Sequence, residues 1–280
     1  MLLLRKSFLL LMIGEVISGI GIWLGIIGNL QFMNHLIDSD FIKSLILMSG
    51  VLASLLFLPL SGKWIDKMEK RKILIYSSML RCLSPVCMFP ALAFDSIPWM
   101  MASLILNQVT SAVYFPTVRT SLPVLVDKTE LLQANTIYMN IVTISRITGT
   151  AVGGIMVASL SLNDLYLGSL GGFLILTIIT CFVRIPSREG QQTGRNKEKI
   201  RFSEVFTILP KQPAVLMGII MSSTINLFLG GFNLLVLAFS RAQDSPDVMG
   251  WIYTVEGASI LIAGLFVRRF TAGFNLMIMR

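Results

Sequence analysis

The chain has 280 residues, of which 54% are hydrophobic and only 14% charged, with a mean hydropathy of +0.77. A soluble domain of this length needs far more charge to cover its surface, so a water-solvated globule is excluded. The formal net charge of +8 invites a nucleic-acid reading, but the cations are sorted among loops in the way a membrane protein sorts them, so no nucleic-acid partner is expected.

In chain order, Arg5 and Lys6 precede a long apolar run with no small-residue cleavage site at a suitable distance. The run is read as an anchoring first helix and not a cleaved leader. Eight segments approach the roughly 20 residues that a helix needs to cross a bilayer: 8–33, 42–62, 73–94, 98–118, 134–160, 165–184, 213–240 and 249–268. Helices are required because lipid gives the backbone no partners, and the short alternating segments of a barrel are missing. The expected class is therefore an all-α, polytopic membrane protein with the lipid bilayer as its solvent. Its domains are an N-terminal bundle of six helices over 1–184, a basic polar linker over 185–210, and two further helices within 211–280.

Alternate loops differ in charge. One set carries Arg5 and Lys6, then Lys63, Lys67, Lys70, Arg71 and Lys72, then Arg119 and Lys128, then the linker cations, then Arg268 and Arg269. The other set carries only Lys43 and Arg241, among Asp38, Asp40, Asp95, Asp164, Asp244 and Asp247. Cationic loops stay inside, so the N-terminus is expected in the cytoplasm and the chain in the plasma membrane. Cys82, Cys87 and Cys181 lie in apolar stretches and read as free thiols. His35, the one histidine, reads as a solvated helix-end residue. No metal-ligand, catalytic-triad or phosphate-loop constellation is present, so neither a cofactor, a metal nor an enzymatic activity is expected.

The loop after the second helix reads Gly62-Lys63-Trp64-Ile65-Asp66-Lys67-Met68-Glu69-Lys70-Arg71-Lys72. Gly62 is expected to permit close helix approach. Asp66 is expected to face the positive end of a neighbouring helix. The basic cluster, Lys70 and Arg71 included, is expected to pair with Asp127 and Glu130 of the next cytoplasmic loop and latch that side. The loop is similar to the signature of the major facilitator superfamily, in which a Gly precedes an Asp by four residues and cations follow. In this chain Glu69 stands where many members have Gly. A second stretch, Gly149-Thr150-Ala151-Val152-Gly153-Gly154, resembles the helix-five motif of that family's antiporter branch, with Thr150 in place of its proline. Small residues four apart let helices pack backbone to backbone. Phe115 to Pro123, Leu131 to Asn135 and Val183 to Pro186 further resemble the macrolide-efflux and drug:proton antiporter branch.

The resemblance implies a cavity lined by the first, fourth and seventh helices, a small-molecule substrate and exchange against protons. The residues independently place polar stripes on those helices: Glu15, Ser18, Gly25 and Asn29 on the first, Asn107, Ser111 and Tyr114 on the fourth, and Ser222, Asn226, Gly230 and Asn233 on the seventh. Glu15, Arg81, Arg146 and Glu256 fall at membrane depth. Glu15 is the candidate proton carrier, and Arg81, near the cytoplasmic start of its helix, is expected to snorkel to the interface. Arg146 and Glu256 each lie about 18 Å along a helix from the cytoplasmic face. In the implied fold the fifth and eighth helices meet, and there this pair is expected to form an ion pair.

Family members have twelve helices and this chain offers eight, so the resemblance implies truncation after the eighth. Two functional readings follow. One is proton-coupled efflux of small amphipathic compounds. The other is a non-transporting membrane protein that associates with a complementing membrane subunit through unpaired helices.

Overall fold

A computed structural model describes residues 6–186 and 213–243, with the single residues 248, 251, 252, 255 and 259. Every regular element in it is helical. In chain order they are α1 (Lys6–Leu36), α2 (Asp40–Lys67), α3 (Lys70–Arg81), α4 (Leu83–Ala93), α5 (Ile97–Leu125), α6 (Leu131–Ser159), α7 (Leu162–Phe182) and α8 (Pro213–Ala242), with one 3₁₀ turn, Lys128–Glu130, before α6. Five stretches are long and apolar enough to cross a bilayer: Lys6–Leu36, Asp40–Lys67, Lys70–Ala93, Lys128–Ser159 and Leu162–Phe182. At 29 residues α5 has the length, but Asn107, Gln108, Thr110, Ser111 and Thr117 make it more polar than those five. The predicted span 249–268 lies outside the described residues except at 251, 252, 255 and 259, and the linker lies outside them from 187 onward.

The predicted third span is two helices, not one. Pro85 has no N–H for the carbonyl of Arg81, and its ring crowds that carbonyl, so the helix breaks at Cys82. The amide of Cys82 turns back to Met79 O at 3.1 Å, a tighter turn than α-helix. The break sets the direction of Arg81, the last residue of α3.

Small residues set the packing around α1. A Cβ on Gly149 of α6 would stand 2.8 Å from the Trp23 Cβ and 3.0 Å from the Ile20 Cα, and a Cβ on Gly19 would stand 2.4 Å from the Ser145 Cβ. On the neighbouring side of α1, Ser169 of α7 donates to Gly21 O at 2.7 Å, and a Cβ on Gly172 would stand 3.1 Å from Ile17 O. Thus α1 is held between α6 and α7 at backbone distance, with few bulky side chains in the way. In the same way α2 rests on α5, where a Cβ on Gly50 would strike Leu104. α7 starts at a capping box: Ser161 N donates to the Asp164 carboxylate at 3.0 Å, and Asp164 N donates to the Ser161 hydroxyl at 3.4 Å.

Two apolar clusters fill the bundle. One, toward the N-terminal end of α1, joins Phe8, Leu11 and Met12 to Leu74, Tyr114, Val118, Leu122 and Leu176. The other, toward its C-terminal end, joins Ile27, Leu30 and Met33 to Met88, Met100, Leu104 and Tyr166, with Val236 of α8. Along α1 the polar residues Glu15 and Ser18 fall between the two clusters, both buried.

Candidate functional site

The middle of the bundle holds a buried charge cluster. Glu15 lies nine residues into α1, Arg81 eleven residues into α3, and Tyr114 eleven residues before the end of α5. At 1.5 Å per residue these positions are ~14–17 Å from the ends of their helices that share one face of the bundle, so all three reach the same depth. Tyr114 Oη donates to Glu15 Oε1 at 2.6 Å. The Arg81 guanidinium lies against the face of the same ring, 4.6 Å from its centroid, and also near the rings of Phe115 at 5.1 Å and Phe173 at 5.6 Å. Arg81 Nη2 donates to Ser111 Oγ at 3.0 Å.

Glu15 and Arg81 make no direct ion pair within 4.0 Å among the described residues. The tyrosine stands between them, its hydroxyl toward the carboxylate and its π-face toward the cation. Quadrupole attraction to three rings offsets part of the cost of taking a guanidinium out of water. It does not satisfy every donor: Arg81 Nε and Nη1 are buried and make no hydrogen bond.

The expectation that Arg81 snorkels is therefore wrong. The side chain is 0% exposed. Depth along the helix suggested an escape to the interface, but the break before Pro85 and the rings of α5 and α7 hold the group inside. The sequence contained a signal in Pro85, four residues past Arg81, and in the adjacent Tyr114 and Phe115 at matching depth on another span.

Beside the charge cluster runs a narrow polar seam among α1, α4, α5 and α7, lined by Gly25, Asn29, Ser84, Ser103, Asn107 and Phe173, among others. Phe173 is common to both, since its ring also faces Arg81. The seam has about 10 Å³ of free volume, room for about one water molecule, so in this conformation it is closed. Asn29 Oδ1 accepts from Tyr166 Oη at 2.9 Å, and Ser84 and Ser103 hydroxyls lie 3.1 Å apart. Asn107 Oδ1 is buried and accepts no hydrogen bond.

The polar stripe predicted on α1 and α5 thus divides. Glu15, Ser111 and Tyr114 join the charge cluster, Asn29 and Asn107 line the seam, and Ser18 is buried without lining it. The seam residues Ser84, Ser103, Tyr166 and Ser169 were not anticipated. Single serines in apolar helices carry little periodic signal, and Tyr166 sits among glycines near the start of α7. The side chains of Ser222, Asn226 and Asn233 lie outside the described residues, as does Glu256. Arg146, partly buried on α6, stands with its guanidinium 5.8 Å from the Trp23 ring centroid.

At the basic end, Lys70 Nζ donates to Thr120 O near the end of α5, and Arg71 Nη2 donates to Cys181 O, at the end of α7, at 2.7 Å. These cations hold the carbonyl ends of two neighbouring helices, which carry negative partial charge. The predicted close approach at Gly62 is not seen. A Cβ there would meet nothing within 4 Å among the described residues, because the residue lies on an exposed turn of α2. Asp66 is exposed near the end of the same helix. By contrast, Gly149 and Gly153 lie in tight contact with α1, where a Cβ on Gly153 would stand 2.6 Å from Ile27 Cδ1, and Gly154 is buried.

Comparison with known proteins agrees with this architecture. Residues 11–279 match the profile of the Major Facilitator Superfamily. The chain is 25% identical over 274 residues to the uncharacterized MFS-type transporter YfiS of Bacillus subtilis (strain 168), covering 95% of this chain and 64% of that protein. Among solved structures it resembles a bacterial homologue of the human lysosomal transporter Spinster in an inward-facing, unoccupied conformation. There the TM-score is 0.68 at 16% identity, covering 97% of this chain and 64% of the other. It also resembles the nucleoside transporter NupG, with a TM-score of 0.65 at 18% identity over 95% of this chain and 68% of that one.

Proposed function

The chain belongs to the Major Facilitator Superfamily, and on that premise we propose that it acts as a proton-coupled secondary transporter exporting small amphipathic compounds across the plasma membrane. The observation that carries the reading is the contact of Tyr114 with both Glu15 and Arg81, buried at mid-bundle next to the polar seam. A lone carboxylate at this depth is costly, and intramembrane ionisable residues are functional candidates by default. Glu15 is the proton-carrying group in this reading. Protonation cancels the charge that Arg81 faces across the tyrosine ring and converts Glu15 from acceptor only to a group that also donates. The bond from Tyr114 then loses its charge assistance and weakens, and the seam on the same face of α5 is free to open. Asn107 Oδ1 and the two unpaired nitrogens of Arg81 supply polar partners for a ligand once it does. An Arg146–Glu256 ion pair is proposed as a link between the two halves at mid-membrane depth, and Ser222, Asn226 and Asn233 as lining from α8.

The experiment is dye and drug accumulation in everted membrane vesicles containing the chain. Accumulation that needs an imposed proton gradient and disappears in Glu15→Gln is the expected result. Vesicles with the chain that match empty vesicles for every compound remove the transport reading. The alternative, a membrane protein that docks on a complementing subunit, is favoured by one observation. In the most apolar window of α2 only 17% of residues are buried, and in that of the 128–159 span 28%, against 44% for α1. Crosslinking from α2 to another membrane protein, with no gradient-dependent flux, is the outcome that selects it.

A further inference from the structure

The basic end of the bundle contains a recess of about 400 Å³ among the ends of α1, α3 and α7, lined by Lys6, Ser7, Arg71, Cys181, Phe182 and Arg184. That volume is within the range of small-molecule sites, roughly 300–1,000 Å³. Three cations from three different elements converge on it, and none of the three has an acidic partner among the described residues. Arg71 spends one guanidinium nitrogen on Cys181 O and keeps its other N–H groups. The backbone amide of Arg184 donates to Ser7 Oγ at 3.2 Å, which ties the chain after α7 to the start of α1 and fixes one wall.

The lining is not only cationic. Phe182 is 68% exposed, and above it on the same face of α7 stand Ile178 and Ile175, at 58% and 44% exposure. Residues spaced by four and three share one helix face, so an apolar track leads from the cationic recess toward the middle of the bilayer. A free inorganic anion has no use for that track. A phospholipid has one, because its phosphate is bonded to acyl chains that run in that direction.

We propose that this recess binds the phosphate of an anionic phospholipid from the leaflet that meets the basic loops, with Lys6, Arg71 and Arg184 around the head group and an acyl chain along Phe182, Ile178 and Ile175. The choice of leaflet rests on the N-inside orientation, but the binding itself does not depend on transport. Basic pockets between helices on the cytoplasmic side are suited to anionic head groups, and each nearby Lys or Arg contributes about 1 kcal/mol, or about fivefold in affinity.

The test is lipid titration of the purified chain in neutral detergent, read by native mass spectrometry, with phosphatidylglycerol against phosphatidylcholine. The expected result is preferential retention of phosphatidylglycerol. The double variant Lys6→Gln/Arg184→Gln, which removes no side-chain hydrogen bond to another described residue, is expected to lower that preference about 25-fold at two charges and about fivefold each. The control pair Lys63→Gln/Lys67→Gln, on the end of α2 and outside the recess, is expected to leave it unchanged. Equal retention of both lipids overturns the proposal. So does equal loss in the control pair, which indicates diffuse surface charge, and so does displacement of the lipid by millimolar inorganic phosphate, which indicates a soluble-anion site. Arg71→Gln is kept apart because it also frees the carbonyl of Cys181, and its loss of binding counts only if the chain keeps its elution volume.

Discussion

At the scale of the residue, Tyr114 does two jobs with one side chain, and the two are separable by substitution. Its hydroxyl is the hydrogen-bond partner of Glu15, while its ring is one of three around Arg81. Tyr114→Phe keeps the ring and deletes the hydroxyl, leaving a buried carboxylate without that donor. The expected cost is about 1–3 kcal/mol, the usual penalty for an unsatisfied buried group, measured as reduced resistance to denaturation in detergent. Glu15→Gln in the Tyr114→Phe background is expected to cost less than in the native chain, because the contact is already gone. A double-mutant cycle whose coupling is near zero shows that the 2.6 Å contact carries no energy. Arg81→Lys tests the other half. A lysine presents a compact point charge without the planar fork that stacks on Tyr114 and Phe115 while reaching Ser111. It is expected to lower stability by at least as much as Ser111→Ala, which removes a single hydrogen bond worth about 1.5–3 kcal/mol with a charged partner.

At the scale of the element, the glycines separate two kinds of motif that look alike in the sequence. Gly149 and Gly153 on α6 press on α1 at distances no side chain tolerates without movement, whereas a Cβ on Gly62 of α2 would meet nothing within 4 Å among the described residues. Gly149→Leu is expected to force α1 and α6 apart, at about 1–3 kcal/mol or more for overpacking, and Gly62→Leu to be close to neutral. Detergent stability of the pair, compared side by side, checks it, and equal losses defeat the packing argument. The same contrast shows what was legible. Hydropathy placed the described helices, and small residues spaced by four announced a backbone-close packing face on α6 without naming its partner, because both signals are local and periodic. The fate of Arg81 was not legible from its own segment. It depends on a helix break at Cys82 caused by Pro85 and on rings carried by α5 and α7, so it exists only once three helices are assembled. The polar seam escaped for the same reason. Ser84, Ser103 and Asn107 mean little singly and become a site only by adjacency.

At the scale of the whole molecule, the arrangement of charge distinguishes the two ends of the bundle. Lys6, Arg71 and Arg184 meet at one end, on α1, α3 and the segment after α7. At the opposite end, near the turn between α1 and α2, Lys43 is withdrawn: it is 0% exposed, with Nζ 3.3 Å from both Asp40 Oδ1 and Asn34 Oδ1. Asp95 lies at that same end, in the turn between α4 and α5 with φ at 48°, a left-handed conformation that aspartate tolerates through local hydrogen bonding. If cations decide orientation, the end with exposed cations faces the cytosol and the end whose lysine is buried against a carboxylate faces out. A chain with Cys82, Cys87 and Cys181 replaced by serine, then given either Lys67→Cys or Asp95→Cys, tests this directly. A membrane-impermeant maleimide added to intact cells is expected to label the cysteine at 95 and spare the one at 67, and everted vesicles are expected to reverse the pattern. Because one crossing, the α3–α4 span Lys70–Ala93, connects these two positions, labelling of both from one side is incompatible with the bundle, and the reversed pattern is incompatible with the orientation alone.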